Sequence, residues 1–490
     1  MDGLVALGTE VEEVYVSGVT HDSHQVKPGD LFAALPGRNQ HGAEFAEFAA
    51  AQGAVAVLTD AAGVTAAEQS GLPVVCAPDP RLVLGSIARW LYDDPTARLL
   101  VIGVTGTNGK TTSSYLIDAG LRAAGHRTGL IGTVETRISD TVLPSLHTTP
   151  EATDLQALFA TMVEAGVTAV AMEVSSHALA LNRIDGTTFA VAVFTNLTQD
   201  HLDFHRDLED YFAAKARLFT RTFTDVAVID VDDAYGARLA REARTRVVAV
   251  SPVGDSDADW WVDAIDTTPT GSTFVLHGPG GVSTTAYTPL PGAFNIANAA
   301  LAIVALVEAG VPLTNAVSGI ATCANVPGRM QRVEAGQSFA AVVDYAHTPD
   351  AVATLLASLR AVTSGRVIAV LGCGGDRDES KRPLMGAAVA HGADVAVLTS
   401  DNPRSEDPRA ILAAMESGVA EVPAADRAQV MVEPDRRAAI RLAVGLASSG
   451  DVVVVAGKGH ERVQVVDGET LPFDDAEELT AAIGAVVRAS

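Results

Sequence analysis

The sequence predicts an α/β protein of three domains, with a nucleotide-binding domain in the centre. The chain has 490 residues, which is too many for one hydrophobic core when a typical domain holds about 150. Short apolar runs alternate with helical periods along most of the chain, as in parallel sheets covered by helices. Residues 101–112 combine an apolar run with a glycine-rich turn, which is typical of a phosphate-binding loop.

The first segment, residues 1–94, reads as a small α/β domain. Its strand-like runs are residues 31–35, 54–58 and 74–77, and helical stretches separate them. The turn-forming residues 93–96, Asp-Asp-Pro-Thr, follow. We therefore expect the first domain boundary between residues 94 and 95.

The second segment, residues 95–328, reads as a domain built on a largely parallel sheet. Its apolar runs, residues 99–105, 167–174 and 189–196, alternate with helical periods. A glycine- and threonine-rich stretch, residues 266–291, predicts antiparallel strands that lead into a long alanine-rich helix. The break at residues 325–329 marks the second boundary.

The third segment, residues 329–490, reads as a doubly wound, Rossmann-like domain. Four short apolar runs predict its strands, with helical stretches between them. The runs are residues 340–344, 367–371, 395–399 and 452–456.

Composition narrows the function classes. Three cysteines, widely separated and odd in number, argue against a disulfide framework or a zinc site. The formal net charge of −26 disfavours non-specific nucleic-acid binding, so an anionic substrate needs local donors. No apolar stretch reaches the roughly 20 residues of a membrane span, and the N-terminus lacks the features of a signal peptide. We expect a cytoplasmic monomer that binds small molecules, does not bind nucleic acid and has no membrane span.

The glycine-rich turn predicts an ATP site. Glycines let backbone N–H groups approach phosphate oxygens, and the helix that follows adds a favourable dipole. Lys110 supplies a positive charge, and the Thr111 hydroxyl can face Mg²⁺. Val104 stands where the general pattern has glycine, so Gly106 and Gly109 make the turn. The predicted ATP-binding residues here are Gly106, Thr107, Asn108, Gly109, Lys110, Thr111 and Thr112.

Two further strand ends carry residues suited to a metal. Ligands gather outside the carboxyl ends of parallel strands. Glu173 lies at the end of one predicted strand, and His201 follows another. With Thr111 they are candidate Mg²⁺ ligands. The alternative for Glu173 is a buried, hydrogen-bonded carboxylate. The alternative for His201 and His205 is that they cap a helix or are polar side chains that hydrogen-bond within the protein.

These motifs together resemble the ATP-dependent Mur ligases of peptidoglycan synthesis, in particular those that add meso-diaminopimelate. The resemblance extends from Asp22 to Glu461 and rests on many motifs in the same order. The motifs are residues 105–112, 173–177, 196–203, 210–219 and 457–461. The resemblance implies that ATP phosphorylates a substrate carboxylate, and that an amine then displaces phosphate from the acyl phosphate.

The resemblance also gives Lys215 a role that the residue alone does not. A lysine on an amphipathic helix ordinarily belongs to a solvated face. The resemblance implies instead that CO2 converts Lys215 to a carbamate, N6-carboxylysine, which is an anionic ligand for a second Mg²⁺. Such a lysine must lose its proton, which requires desolvation or neighbouring cations. The implied catalytic residues are Lys110, Glu173, His201 and Lys215, and the implied metal ligands are Thr111, Glu173, His201 and carbamylated Lys215.

The remaining site residues are also implied by the resemblance. Asn295, Arg329 and Asp344 would contact adenosine and the hinge between domains. Without the resemblance, Arg329 could equally be a surface charge in a linker. The first domain would bind uridine and, with the second, hold UDP-N-acetylmuramoyl-L-alanyl-D-glutamate through His21, Asp22, Ser23, Arg38, Asn39, Gln40, Thr148, Thr149, Ser175 and Arg183. The meso-diaminopimelate site would comprise Arg377, Asp401, Asn402, Pro403, Arg404, Gly457 and Glu461.

Three other functions compete with this one. A lysine-adding relative would lack the arginine of the Asp-Asn-Pro-Arg motif, residues 401–404. A folylpolyglutamate synthetase would lack the uridine-binding domain and that motif. A nucleotide-dependent switch or motor would hydrolyse ATP without either substrate.

Overall fold

The computed structural model describes residues 5–7, 14–37, 39–145, 147–268, 270–323 and 325–489. Three sheets follow one another along the chain, each covered by helices. This arrangement confirms the predicted fold class. Short 3-10 helices cover Gly42–Phe45, Pro95–Arg98, Arg217–Phe219 and Pro279–Gly281.

The first sheet has five strands in the order β1-β5-β4-β3-β2. All neighbouring pairs are parallel except β1 with β5. The strands are β1 (Val5–Leu7), β2 (Gly18–Thr20), β3 (Asp30–Ala33), β4 (Ala56–Thr59) and β5 (Val74–Cys76), and the helices are α1 (Ala46–Gln52), α2 (Val64–Glu68) and α3 (Pro80–Leu91). The three predicted runs correspond to β3, β4 and β5.

The second sheet has eleven strands in the order β16-β15-β14-β13-β12-β11-β6-β10-β7-β8-β9. Its central strands are parallel, and antiparallel strands extend both edges. The strands are β6 (Leu100–Thr105), β7 (Thr128–Ile131), β8 (Thr136–Ile138), β9 (Thr141–Leu143), β10 (Ala169–Glu173), β11 (Val191–Phe194), β12 (Val226–Asp230), β13 (Arg246–Ser251), β14 (Trp260–Thr268), β15 (Gly271–Gly278) and β16 (Val282–Thr288). The predicted antiparallel region is present, but it begins earlier, at Trp260.

Helices cover both faces of the central part of this sheet. They are α4 (Lys110–Ala123), α5 (Ala152–Glu164), α6 (Ser176–Ala180), α7 (Leu208–Ala216), α8 (Ala234–Glu242), α9 (Ala293–Glu308) and α10 (Leu313–Ala321). Side chains alternate between the faces along β6: Ile102 and Val104 pack with α4, α9 and α10, whereas Val101 packs with α5 on the other side. Each fully buried aliphatic side chain contributes about 1.5–3 kcal/mol, so burial on both faces fixes the strand ends rigidly.

The third sheet has six strands in the order β17-β18-β22-β19-β20-β21. The strands are β17 (Gln331–Arg332), β18 (Ala340–Asp344), β19 (Val367–Cys373), β20 (Val395–Ser400), β21 (Gln429–Val432) and β22 (Val452–Ala456), followed by a hairpin of β23 (Val463–Val466) and β24 (Glu469–Pro472). The helices are α11 (Pro349–Val362), α12 (Lys381–Gly392), α13 (Pro408–Glu421), α14 (Arg436–Leu446) and α15 (Asp475–Ala489). The four predicted strands are present. Strands β17 and β21 and the hairpin were not predicted, because their side chains are partly or fully exposed.

Among the described residues, none of the helices combines the length and the apolar character that crossing a bilayer requires. The three cysteines, Cys76, Cys323 and Cys373, are free thiols.

Candidate active site

The phosphate loop lies between the end of β6 and the start of α4, and its two turning glycines are required by shape. Gly106 has φ 153° and Gly109 has φ 88°. A Cβ atom at Gly106 would lie 1.9 Å from Thr195 Oγ1, and one at Gly109 would lie 2.3 Å from Asn298 Oδ1. Any larger residue would therefore strike the Thr195 or Asn298 side chain and would have to adopt backbone angles that favour glycine.

The neighbouring strand β11 holds the loop in place. Asn196, the second residue after this strand, accepts a hydrogen bond from Thr107 N through its carbonyl oxygen and one from Asn108 N through Oδ1, both at 2.9 Å. The Thr195 hydroxyl donates to the Asn108 carbonyl oxygen at 2.6 Å. Because β11 and β6 are paired in parallel, the loop's shape depends on residues about 90 positions further along the chain.

Two lysines converge on one carbonyl oxygen of this loop. Lys110 Nζ donates to the carbonyl oxygens of Gly106 and Thr107, each at 2.9 Å, and Lys215 Nζ donates to that of Gly106 at 2.8 Å. Lys215 is 1% exposed, so a solvated position, the ordinary one for a lysine on a helix, is wrong here. Burial, and next the charge of Lys110, hold the pKa of Lys215 well below its usual value. Lys215 therefore meets the chemical requirement for a lysine that loses its proton.

The predicted metal ligands line the same strand ends, each with a protein partner. Glu173, the last residue of β10, is 1% exposed and accepts hydrogen bonds from Thr133 N at 2.8 Å and Thr133 Oγ1 at 3.0 Å. Thr111 Oγ1 accepts one from Arg329 Nη2 at 3.3 Å. Burial lowers the pKa of His201 to about 4 against the opposing charge of Asp200, which leaves the imidazole neutral and able to bind a metal.

The donor set fits a magnesium ion that is also held by phosphate. Within the described part of the chain, no group of three His, Cys, Asp or Glu side chains could enclose a metal alone. Magnesium does not require such a cage, because it keeps several waters and binds through one or two carboxylates and substrate phosphates. The Thr111 hydroxyl and the buried Glu173 carboxylate are ligands of this kind.

The segment that joins the second and third sheets reaches back to the phosphate loop. Besides its bond to Thr111, the Arg329 guanidinium stacks 4.2 Å from the centre of the Tyr345 ring, so Arg329 is not a surface linker charge. The Asp344 carboxylate accepts from Met330 N at 2.7 Å and from Ala346 N at 2.8 Å. Asp344 thus fixes the hinge backbone.

Asn295 is buried at the start of α9. Its Nδ2 donates to the Pro291 carbonyl oxygen at 2.8 Å, and its Oδ1 accepts from Asn298 Nδ2 at 3.3 Å. Since Asn298 is the residue that a Cβ at Gly109 would strike, Asn295 supports the phosphate loop through Asn298.

Part of the predicted UDP-sugar site surrounds Glu173. The Thr149 hydroxyl donates to the Glu173 carbonyl oxygen at 2.9 Å and accepts from Ser175 N at 3.1 Å. Thr148 Oγ1 lies 3.0 Å from Thr133 Oγ1. Arg183 Nη1 donates to the Thr149 carbonyl oxygen at 3.4 Å. These residues form one hydrogen-bonded group at the end of β10.

Within the described part of the chain, the first-domain residues that are predicted to bind UDP do not form one hydrogen-bonded group. His21 Nδ1 lies 3.5 Å from Thr153 Oγ1 of α5, and Ser23 is buried. Asn39 and Gln40 are exposed, and Gln40 Nε2 donates to Glu44 at 2.7 Å. Arg38 lies outside the described residues.

A cavity of 610 Å³ lies between the second and third sheets. From the second come the residues after β11, and from the third come the loops after β18, β19, β20 and β22. The cavity-lining residues of the predicted amino-acid site are Arg377, Asp401, Asn402, Arg404, Gly457 and Glu461. Pro403 is the exception, since it lines a separate groove behind the loop.

Charges of both signs face this cavity. Arg377, Lys381 and Arg404 supply cations. The carboxylates in the lining are those of Asp200, Asp203, Asp350, Asp378, Asp401 and Glu461. Burial raises the pKa of Asp401. Such a lining suits a zwitterion with several charged groups rather than a simple anion.

Four functional candidates were not predicted as site residues from the sequence. Tyr345, His347 and Lys381 line the cavity, and Lys458 lies fully buried behind it. Each lies in or near a segment that carries a predicted site residue, so the sequence indicated the segment in which it lies. Some of their contacts could not be predicted, because they join distant segments, as when Lys458 donates to Asn402 and Lys381 to His347.

Comparison with known proteins gives concordant matches along the chain. The model "Mur ligase family, catalytic domain" matches residues 15–92, "Mur ligase middle domain" matches 104–306, and "Mur ligase, glutamate ligase domain" matches 328–459. A protein of Streptomyces coelicolor named "UDP-N-acetylmuramoyl-L-alanyl-D-glutamate--2,6-diaminopimelate ligase" is 56% identical, with 96% of this chain and 92% of that protein covered. One of the same name from Corynebacterium glutamicum is 47% identical, with 96% and 93% covered.

A solved structure bearing the same enzyme name superimposes with a TM-score of 0.69 at 36% identity, covering 96% of this chain and 95% of that one. The likeness therefore extends over all three domains.

Proposed function

Since the chain belongs to the Mur ligase family, we propose that it adds meso-diaminopimelate to UDP-N-acetylmuramoyl-L-alanyl-D-glutamate. It is an ATP-dependent ligase that releases ADP and phosphate and acts in the synthesis of peptidoglycan precursors. The observation that carries the proposal is the cavity between the second and third sheets. It brings His201, beside the phosphate loop, opposite Asn402 and Arg404, so that a phosphorylated acid and an amine could meet there.

The reaction has two steps. A carboxylate oxygen of the D-glutamyl group attacks the γ-phosphorus of ATP, the bond to the β,γ-bridging oxygen breaks, and ADP leaves. The amine of the amino acid then attacks the acyl carbon, loses a proton and expels inorganic phosphate. Lys110 and the N-terminus of α4 stabilise the charge that accumulates on the phosphate oxygens.

Mg²⁺ would be held by Thr111, Glu173 and His201, and carbamylated Lys215 would bind a second Mg²⁺. The ions would supply Lewis-acid stabilisation of the phosphate charge. Support for the carbamate comes from the burial of Lys215 and the depressed pKa of its amine. A neutral amine attacks CO2, forming an N–C bond and releasing one proton. The product is an anion, which removes the repulsion between Lys215 and Lys110.

The choice of amino acid rests on the charges in the cavity. Arg404 and Arg377 would bind the carboxylate remote from the reacting amine, since a guanidinium forms two parallel bonds to a carboxylate. Glu461 would receive the distal ammonium group. L-Lysine lacks the remote carboxylate and would leave the arginine without its partner, which is costly in a closed site.

The remaining assignments concern the second substrate and the organisation of the protein. The uridine end would bind the first domain at His21 and Ser23, and the sugar and peptide end would contact Thr148, Thr149, Ser175 and Arg183. We propose domains at residues 1–94, 95–328 and 329–490, a division supported by the separate sheets. We also propose a cytoplasmic monomer that does not bind nucleic acid, which sedimentation and DNA-binding measurements would test.

The deciding experiment measures ADP formation by the purified protein with every combination of substrates. We expect ADP only when the nucleotide-sugar dipeptide and an amino acid are both present, with meso-diaminopimelate far better than L-lysine. Equal ATP consumption without either substrate would indicate a switch instead. Activity only with a folate and glutamate would indicate a folylpolyglutamate synthetase.

A further inference from the structure

A fully buried lysine joins the segments that carry the proposed amino-acid site. The Lys458 side chain is 0% exposed and lies in the loop after β22. Its Nζ donates to Asn402 Oδ1 at 3.1 Å, to Glu461 Oε2 at 3.1 Å and to the Val463 carbonyl oxygen at 2.7 Å. These three bonds use all the donors of an ammonium group, and they connect the loop after β20, the loop after β22 and the first residue of β23.

The same contacts fix one oxygen of Glu461. Besides the bond from Lys458, Oε2 accepts a hydrogen bond from Asn402 Nδ2 at 2.7 Å. The Glu461 side chain remains 33% exposed and lines the cavity. One side of the carboxylate is therefore anchored in the protein interior, while the residue also faces the space where the amino acid would bind.

An ammonium group that is buried without partners is strongly destabilising, so a lysine in this place needs its partners. Within the cluster, Glu461 supplies the opposite charge and Asn402 supplies a neutral acceptor that also donates to Glu461. A core that only had to be filled could use an apolar side chain of similar volume at no such cost. The charge at Lys458 thus calls for a role beyond packing.

We propose that Lys458 is a positioning residue that aims the Glu461 carboxylate at the cationic end of the amino-acid substrate. This inference rests on the proposed function, in which Glu461 receives the distal ammonium of meso-diaminopimelate. Lys458 does not touch the substrate. It sets the orientation of the group that does, so its loss weakens recognition of the distal amine selectively.

A second buried cation, Arg436, explains why the effect of removing Lys458 should be confined to nearby side chains. Arg436 donates to the carbonyl oxygens of Ser400 at 3.3 Å and Ala456 at 3.0 Å, which are the last residues of β20 and β22. Asp475 holds the guanidinium with two bonds of 2.7 Å. The roots of both loops are therefore fixed without Lys458, whose removal should free side chains rather than strands.

The test compares two amino acids that differ only in the distal amine. meso-Diaminopimelate and 2-aminopimelate share both carboxylates and the reacting amine. In Lys458→Met, we expect the ratio of kcat/KM for the two compounds to fall at least tenfold, with the KM for ATP unchanged within about twofold. Glu461→Gln should lower the ratio similarly, and the double variant should lower it no further, because the two residues act through one contact.

The outcomes separate positioning from packing. An equal loss with both amino acids, or an unchanged ratio, would overturn the proposal. Lys458→Arg keeps the cation and should retain more of the ratio than Lys458→Met. If Lys458→Met does not fold, Lys458→Gln serves in its place, since it removes the charge but keeps a donor. Failure of the unaltered protein to form ADP with meso-diaminopimelate would refute the proposed function itself.

Discussion

Replacing Lys215 by alanine should abolish most of the activity, and short carboxylic acids should restore part of it. A lysine with the ordinary pKa of 10.5 is neutral to only about 0.1% near pH 7.5, and each unit by which the pKa falls raises that fraction about tenfold. The pKa of Lys215 is lowered well below 10.5 by burial and by Lys110, so the amine is available to CO2.

The size of the loss follows from what the substitution removes. Lys110 still donates to the Gly106 carbonyl oxygen, so the phosphate loop keeps a donor at that atom and the fold should survive. The variant lacks the anion proposed to offset the charge of Lys110 and to bind the metal. Loss of one preorganised electrostatic group typically costs about 10²–10³-fold in kcat, and we expect a loss of at least that order.

The assay is ADP release with both substrates at saturation, with and without added formate or acetate. The cavity left by the lysine stem would admit such an acid, which would replace the carbamate oxygens. Lys27→Ala, at an exposed position of the first domain, is the matched control and should neither lose activity nor respond to the acids. Unimpaired turnover in Lys215→Ala, or a folded variant that no acid restores, would refute the reasoning.

Three other predictions concern recognition, shape and titration. Arg404→Lys should raise the KM for meso-diaminopimelate at least about tenfold, because a lysine cannot form two parallel bonds to a carboxylate; a change confined to the KM for ATP would contradict this. Gly109→Ala should lower the melting temperature and weaken ATP binding more than Gly125→Ala, since the two share φ values of 88° and 87° but only the former brings a Cβ atom against Asn298; equal effects would show that the close approach is unimportant. His201 should titrate at about pH 4, and because its folded pKa lies below the unfolded value, its contribution to stability is lost as pH falls from about 6.5 towards 4; an imidazole NMR midpoint near 6.5 would be inconsistent with its burial.

Sequence patterns were sufficient to predict those features that depend only on neighbouring residues in the chain. The glycine spacing of the phosphate loop requires backbone angles that other residues rarely adopt, so Gly106 and Gly109 could be placed correctly at the end of β6. Strand ends could likewise be located, because apolar runs such as residues 340–344 are buried on both faces of a parallel sheet. The edge strand β21, with its partly exposed side chains, carries no such pattern.

Other features depend on contacts that no local pattern records. Arg404 has φ 54° and is held there by hairpin residues, since its N–H donates to the Val465 carbonyl oxygen at 2.9 Å and its carbonyl oxygen accepts from Asp467 N at 2.7 Å. The hairpin itself was not predicted. Its effect on the orientation of the Asp-Asn-Pro-Arg loop could not be foreseen.

By itself, the sequence determined three α/β domains, a phosphate loop and, through the order of its motifs, a place in the Mur ligase family. Only the tertiary structure decided that Lys215 and Lys458 are buried, and that the loops after β11 and β20 face one cavity. The physical reason is that periodicity and turn chemistry act over a few neighbouring residues, whereas burial and pairing of a charge depend on which distant segments pack around it.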